Sequence, residues 1–353
     1  MEFFLYFCTK IIKVMTFVRF LKDWTLPCAI AIGAFSYLTF YFVPQLDGVG
    51  TQLQSVFDVL FPLSVFMTLL ITFCKVDFHQ MRPHRWHAGV LVAQLVLVAA
   101  NVALILWFKS ASFTSHLSSL TSHLSPLTSH FSSLTSPLLW EALLTCIIGP
   151  SASAAPVVVG KLGGNISTMT TYTLLSALAS ALLIPLAFPM LEQTVHVDFL
   201  SAFLIILQKV SLVLLLPLAL GWLVQHYFRR LQQLLLSVPD LSFYCWGVSL
   251  SITTGITVKN ILHSQAPLGL LVGIAGATFV LCLVQFVIGR VIGRQLGEEV
   301  NAGQALFQKN TALSIWVAYM YLHPVASIGA GCYVLWQNII NSMELWHYRN
   351  IEH

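Results

Sequence analysis

Short polar breaks divide the chain into ten runs of about twenty residues that are almost free of charge. Roughly 20 apolar residues is the length a helix needs to cross the hydrocarbon core of a bilayer. Lipid offers no partner to backbone N–H and C=O groups, so segments of this length and make-up are held to the α-helix. The runs cover about residues 24–43, 55–74, 87–108, 138–160, 165–190, 199–226, 241–262, 267–293, 301–322 and 324–346. Composition excludes the soluble alternatives. Only 8% of residues are charged and the mean hydropathy is +0.83, whereas a soluble domain carries about 25% charged residues. The expected fold is an all-α polytopic membrane protein, with residues 24–346 as one transmembrane unit.

The net charge of +4 is not a nucleic-acid signal, because the basic residues sit in short clusters between the apolar runs. With both termini cytoplasmic, the inner loops collect Lys10, Lys13, Arg19, Lys22, Lys75, Arg82, Arg85, Lys161, Arg229, Arg230, Arg290, Arg294 and Arg349, thirteen of the 17 basic residues. That bias sets the orientation and requires an even number of spans. Ten spans split into two halves of five, and an odd half-length inverts one half relative to the other, a common transporter plan. Residues 1–23 read as a cytoplasmic amphipathic lead-in without a cleavable signal, with Met15 as an alternative start. Residues 347–353 read as a cytoplasmic tail. The seven cysteines have no CxxC or Cys/His spacing and read as single packed thiols.

Residues 109–137 hold a Ser/Thr-rich insert on the extracytoplasmic side. It repeats every seven residues as TSHLSSL, TSHLSPL and TSHFSSL. Its Ser/Thr content and Pro126 oppose a coiled coil. The repeated His116, His123 and His130 raise metal binding as one reading, and an expanded loop without chemistry as the plainer one.

Two spans are interrupted. In span four, Gly149-Pro150 and Ala155-Pro156 bracket the small residues Ser151 to Ala155. Each proline disfavours helix in the residue before it, and Pro156 removes a donor. Chain unwound at that depth must be buried in protein or line a wet cavity, although a packed proline kink reads the same way. In span nine, Gln308, Lys309, Asn310 and Thr311 form a polar block two turns from the nearer end. A lysine there costs a few kcal/mol on insertion scales, and snorkelling is the alternative to a lined site. The two interruptions fall at position four of each half. Paired breaks of that kind point to a binding site, so discontinuous helices four and nine are expected to cross at mid-membrane.

At these residues the chain resembles the bile acid:sodium symporter family, over spans one to ten without the insert. The segment 149–154 stands where that family has a proline, two glycines and a threonine. Asn165 through Leu186 is similar to its fifth span. Gln308-Lys309-Asn310 stands for its methionine, glutamine and asparagine. Pro324-Val325-Ala326-Ser327-Ile328 and Trp336-Gln337-Asn338-Ile339 resemble its tenth span, and Gln94 matches a glutamine of its third. The resemblance implies a panel of spans 1, 2, 6 and 7 and a core of spans 3–5 and 8–10, with substrate in the crevice at the crossover. It puts Ser153, Asn310 and Asn338 at substrate-contacting positions. Ser151, Ala154 and Thr311 lie beside them.

The chain departs from the family at its two sodium sites. Ala155-Pro156 replaces a serine-asparagine pair, Met169 replaces a serine, Ala305 replaces the shared glutamate and Lys309 replaces a glutamine, while Thr173 keeps its oxygen. A hard cation needs several oxygen ligands. The expectation is that the Lys309 ammonium takes the place of one sodium beside Gln94, with Gln308 and Thr173 at neighbouring ion-site positions. No cofactor or metal is expected, and sodium enters only through main-chain carbonyls.

The implied function is secondary transport of a small organic anion of carboxylate, sulfonate or bile-acid type, in a bacterial inner membrane. The expected partners are that substrate and the lipid bilayer. Sodium symport, or a transporter-like sensor that binds without turnover, are the alternatives. Lys161 beyond span four serves orientation or draws anions to the inner mouth. Glu141 and Asp58 lie within a turn of the outer end, at an interfacial depth, or carry protons. An enzyme is not expected: Ser151 and Ser153 lack an evident base, His323 stands at a span end, and no HExxH or GxSxG motif occurs. A channel is excluded because no span carries a polar stripe along its length.

Overall fold

The computed structural model describes residues 25–43, 45, 47–75, 81–110, 136–191, 198–238 and 241–351. The lead-in and most of the repeat insert lie outside the described residues. Thirteen α-helices and no strands occur among those described. They are α1 (Thr25–Phe42), α2 (Asp47–Lys75), α3 (Arg85–Lys109), α4 (Pro137–Ile148), α5 (Ala155–Lys161), α6 (Ile166–Leu191), α7 (Phe199–Tyr227), α8 (Arg229–Ser237), α9 (Leu241–His263), α10 (Leu268–Leu296), α11 (Glu299–Phe307), α12 (Thr311–Tyr321) and α13 (Pro324–Ile351). Four of them, α3, α6, α7 and α10, are long and apolar enough to cross a membrane. The chain is a helical membrane protein.

As expected of the interrupted runs, the fourth and ninth are each two helices, α4 with α5 and α11 with α12. Two further features depart from the sequence reading. The polar stretch after the sixth run is itself a helix, α8. In addition, α13 continues to Ile351, past Trp346 where the apolar run ends.

Helices α1, α2, α7 and α9 pack on one another, with α9 against α1 and α2, and α2 against α7. The remaining long elements form a second group, in which α4 and α10 pack on α13, α3 on α4, and α11 on α10. The groups meet where α7 touches α6, α9 touches α12 and α13, and α2 touches α12. Small residues let backbones approach closely, as membrane packing favours. A Cβ added at Gly289 of α10 would lie 2.9 Å from the Gly303 Cα of α11, and one at Gly329 of α13 would lie 2.8 Å from the carbonyl carbon of Ala142 of α4. The largest apolar cluster joins both groups, from Phe61 and Val65 of α2 through Leu144 of α4 and Ala177 of α6 to Leu313 of α12 and Ala326 of α13.

Among the described residues, the ion pairs sit at the two ends of the second group. At one end the Lys109 ammonium pairs with the Glu141 carboxylate at 2.8 Å and donates to the Leu191 carbonyl at 2.9 Å, tying α3, α4 and α6. At the other, Arg290 pairs with Glu299 at 3.3 Å and with Glu344, and Arg294 pairs with Glu299 at 2.8 Å. The Asn301 side chain there bonds the Asn165 carbonyl at 2.7 Å and Thr168 Oγ1 at 2.9 Å.

Candidate functional site

The unwound stretches 149–154 and 308–310 lie against each other. Ser151 and Lys309 form an isolated antiparallel bridge. The Ala152 N–H donates to the Gln308 carbonyl and the Asn310 N–H to the Pro150 carbonyl, each at 2.8 Å. The helix of the fourth run cannot continue here. Pro150 and Pro156 disfavour helix before them, and Pro156 sits at the start of α5, where a missing donor does no harm.

The freed backbone groups find partners inside the protein, as burial away from water requires. Gln94 Nε2 donates to the Ile147 and Gly149 carbonyls at 3.2 Å. Ser180 Oγ donates to the Ile148 carbonyl at 2.8 Å. The Ser151 N–H donates to Ser176 Oγ at 2.7 Å. Across the other break, the Lys309 N–H donates to Gln337 Oε1 at 3.0 Å and Gln337 Nε2 donates to the Lys309 carbonyl at 3.3 Å. Tyr333 OH donates to the Phe307 carbonyl at 2.7 Å.

The side chains at the crossing are less well served. Lys309 is 1% exposed, and its Nζ has no hydrogen-bond partner among the described residues. Ser151 Oγ, Gln308 Oε1 and Ser314 Oγ are buried in the same condition. A space of about 10 Å³ opens at this point, lined by Val65 and Thr68 of α2, Ala152, Ser153, Ser249 of α9, Lys309, Asn310 and Ala312. That is room for about one water, so the crossing is closed to anything larger. A second cavity of about 610 Å³ lies among α1, α2, α9 and α12. The two spaces share three helix faces: Phe57 and Phe61 continue to Val65 and Thr68 on α2, Lys259, Ile256 and Ile252 to Ser249 on α9, and Met320, Tyr319 and Trp316 to Ala312 on α12.

The structure brings Ser151, Ser153, Gln308, Lys309 and Asn310 together. Other expected residues are placed differently. Gln94 makes no hydrogen bond to Lys309; its amide caps the end of α4. Asn310 Oδ1 caps α12 by accepting from the Leu313 N–H at 3.2 Å, which occupies that helix end with the chain's own oxygen. Thr311 is buried as the first residue of α12. Asn338 Nδ2 donates to the Val334 carbonyl at 2.7 Å, and neither Asn338 nor Ala154 lines the small space. Thr173 Oγ1 is spent on the Met169 carbonyl at 3.0 Å. Glu141 is 1% exposed and ion-paired, which leaves its expected interfacial depth untouched. Thr68 and Ser249 were not legible as lining residues; Ser249 Oγ donates to Ser64 Oγ at 2.9 Å across α2 and α9, and a lone hydroxyl in an apolar run carries no mark of such a pairing. The side chain of Asp58 lies outside the described residues.

Three of the positions that the resemblance assigns to sodium offer that ion no side-chain oxygen. Ala155, Met169 and Ala305 pack into one buried apolar cluster with Trp86, Val90, Val159, Tyr172, Ala302 and Leu306. A hard cation finds no oxygen shell among such side chains. Among the described residues, no group of three or more His, Cys, Asp or Glu is placed to hold a metal ion. No protein-family model matches the chain, and no curated protein matches it.

Proposed function

We propose that the chain is a secondary transporter of a small organic anion, working by alternating access at the crossing of its two broken helices and without the ordinary sodium sites. The observation that carries this reading is the buried, unpartnered Lys309 ammonium at a closed, water-sized space between two unwound segments. An isolated buried charge is costly, and a carboxylate or sulfonate is the ligand that would relieve it. The small residues Ala152 and Ser153 let such a group approach the backbone.

In this reading the ten apolar runs are ten spans, arranged as two inverted halves with both termini cytoplasmic. The packing pairs support it: α1 on α9 and α2 on α7 exchange with each other when the halves are swapped. Helices α1, α2, α7 and α9 are the panel and the second group is the core. The resemblance to the bile acid:sodium symporter family supplies the substrate class, and the apolar cluster at the sodium positions supports coupling by other means.

The test is a thermal-shift series on the purified protein against carboxylates, sulfonates and bile acids, with and without sodium, followed by uptake into proteoliposomes. Specific anions should stabilise the protein equally in both salts, and Lys309→Ala should abolish uptake. Sodium-stimulated uptake that survives in Lys309→Ala would sink the proposal and favour an ion held by main-chain carbonyls. Binding without counterflow of labelled ligand would instead make the protein a sensor.

A further inference from the structure

The helix α8 separates α7 from α9 and has no buried residue. Its sequence, RRLQQLLLS, gathers Leu231, Leu234 and Leu235 on one face, at the i, i+3, i+4 spacing of an apolar stripe. Leu231 is 44% exposed and Leu234 is 65% exposed. A short helix that leaves its leucines uncovered on the protein side needs another apolar phase to cover them.

The surroundings fix the height at which that phase must lie. One residue, Phe228, with φ −119° and ψ 55°, breaks the chain between α7 and α8. Gln232 Nε2 donates to the Cys74 carbonyl at 3.1 Å, and Gln225 Nε2 to the Phe73 carbonyl at 2.9 Å. These are the last carbonyls of α2, where the apolar run gives way to Lys75. Trp222, Tyr227 and Phe228 are exposed at the same end of α7, and aromatic residues of this kind collect at membrane–water boundaries. Leu216 and Leu223 of α7 are exposed apolar residues as well. Arg229 and Arg230 of α8 are exposed, and neither forms an ion pair among the described residues.

We propose that α8 lies in the membrane interface as a docking helix for anionic phospholipid, with Leu231, Leu234 and Leu235 in the acyl boundary and Arg229 and Arg230 on the headgroup phosphates. Short helices with one apolar and one cationic face lie in this plane, and each basic residue near an anionic surface adds to the attraction. Because α8 packs on α7 and α2, this dock holds the group of α1, α2, α7 and α9 to one leaflet. The proposal stands whether or not the chain transports.

Amide hydrogen exchange of the full chain in vesicles tests it. Peptides covering residues 229–237 should exchange about tenfold more slowly in phosphatidylcholine vesicles containing phosphatidylglycerol than in phosphatidylcholine alone. The Arg229→Gln/Arg230→Gln variant should lose that difference, and Leu234→Ser/Leu235→Ser should exchange fast in both vesicles. Peptides of α3 and α10 should be unchanged in each variant, which separates loss of docking from loss of fold. Equal exchange of the parent protein in both vesicles, or a lipid response that persists without the arginines, would overturn the proposal. Protection that appears only on adding the soluble cell fraction would assign the face to a protein and overturn it as well.

Discussion

Lys309 is held at the crossing by its main chain, through Gln337, while its ammonium has no partner among the described residues. A residue kept for stability would not be arranged this way, because an unmet buried donor costs about 1–3 kcal/mol and a charged one more. Lys309→Met keeps the shape and removes the charge. It should raise the stability by at least about 1 kcal/mol in thermal unfolding, while uptake of anions falls to background. A loss of stability on that substitution would mean that the ammonium is already paired. Lys109 and Glu141 present the opposite case, a buried carboxylate with its cation. Lys109→Met leaves Glu141 buried without its charge partner and should cost about 3 kcal/mol, the low end of the range for such pairs because Lys109 is partly exposed. Lys109→Met combined with Glu141→Met should recover most of that loss, measured by the same unfolding assay.

Among elements, the broken helices stand because polar side chains from their neighbours close the open ends. Gln94 of α3 serves the carbonyls at the end of α4. Gln94→Leu should destabilise the fold by about 1–3 kcal/mol by leaving them unpaired, with greater amide exchange in α4 as the readout. At the start of α7, the Asp198 carboxylate accepts from the Ser201 N–H at 3.1 Å. Its bonds to Ser201, first through the side chain and then through the backbone, hold its pKa below the usual carboxylate value. The sign follows from linkage: a depressed pKa gives stability that is complete above the unfolded value and is lost as pH falls through the folded one. The first turn of α7 should therefore fray on acidification, and Asp198→Asn should remove that pH dependence from its amide exchange.

The helices were legible because uncharged apolar runs of this length are held to the α-helix, and every apolar run became a helix or a pair of helices. The breaks were legible because Pro150, Pro156 and the polar block 308–311 interrupt those runs. Their partners were not. Gln94, Ser176, Ser180 and Gln337 are single polar residues in apolar helices, and only the packing decides whether such a residue meets a carbonyl or a ligand. The Lys109–Glu141 pair was hidden by the insert between its members. The helix α8 was hidden because nine amphipathic residues are too few to read as a span.

For the molecule as a whole, the proposed transport would use the two cavities as its route. The crossing holds about one water, whereas the space among α1, α2, α9 and α12 holds about 610 Å³, within the range of small-molecule sites. Ser36 of α1 lines that larger space and is exposed. Ser36→Trp should fill it and reduce uptake at least tenfold while leaving the melting temperature within a few degrees. Unchanged uptake in a folded Ser36→Trp protein would place the route elsewhere.

The solitary ammonium also has an electrical consequence. A fixed positive charge that changed sides with an empty site would exchange about 2.3 kcal/mol with each 100 mV of membrane potential it traversed in full. Paired with a monovalent anion, the same site would be electroneutral and would feel none of that work. The voltage across the membrane would then act on the return of the empty protein and leave the loaded step alone.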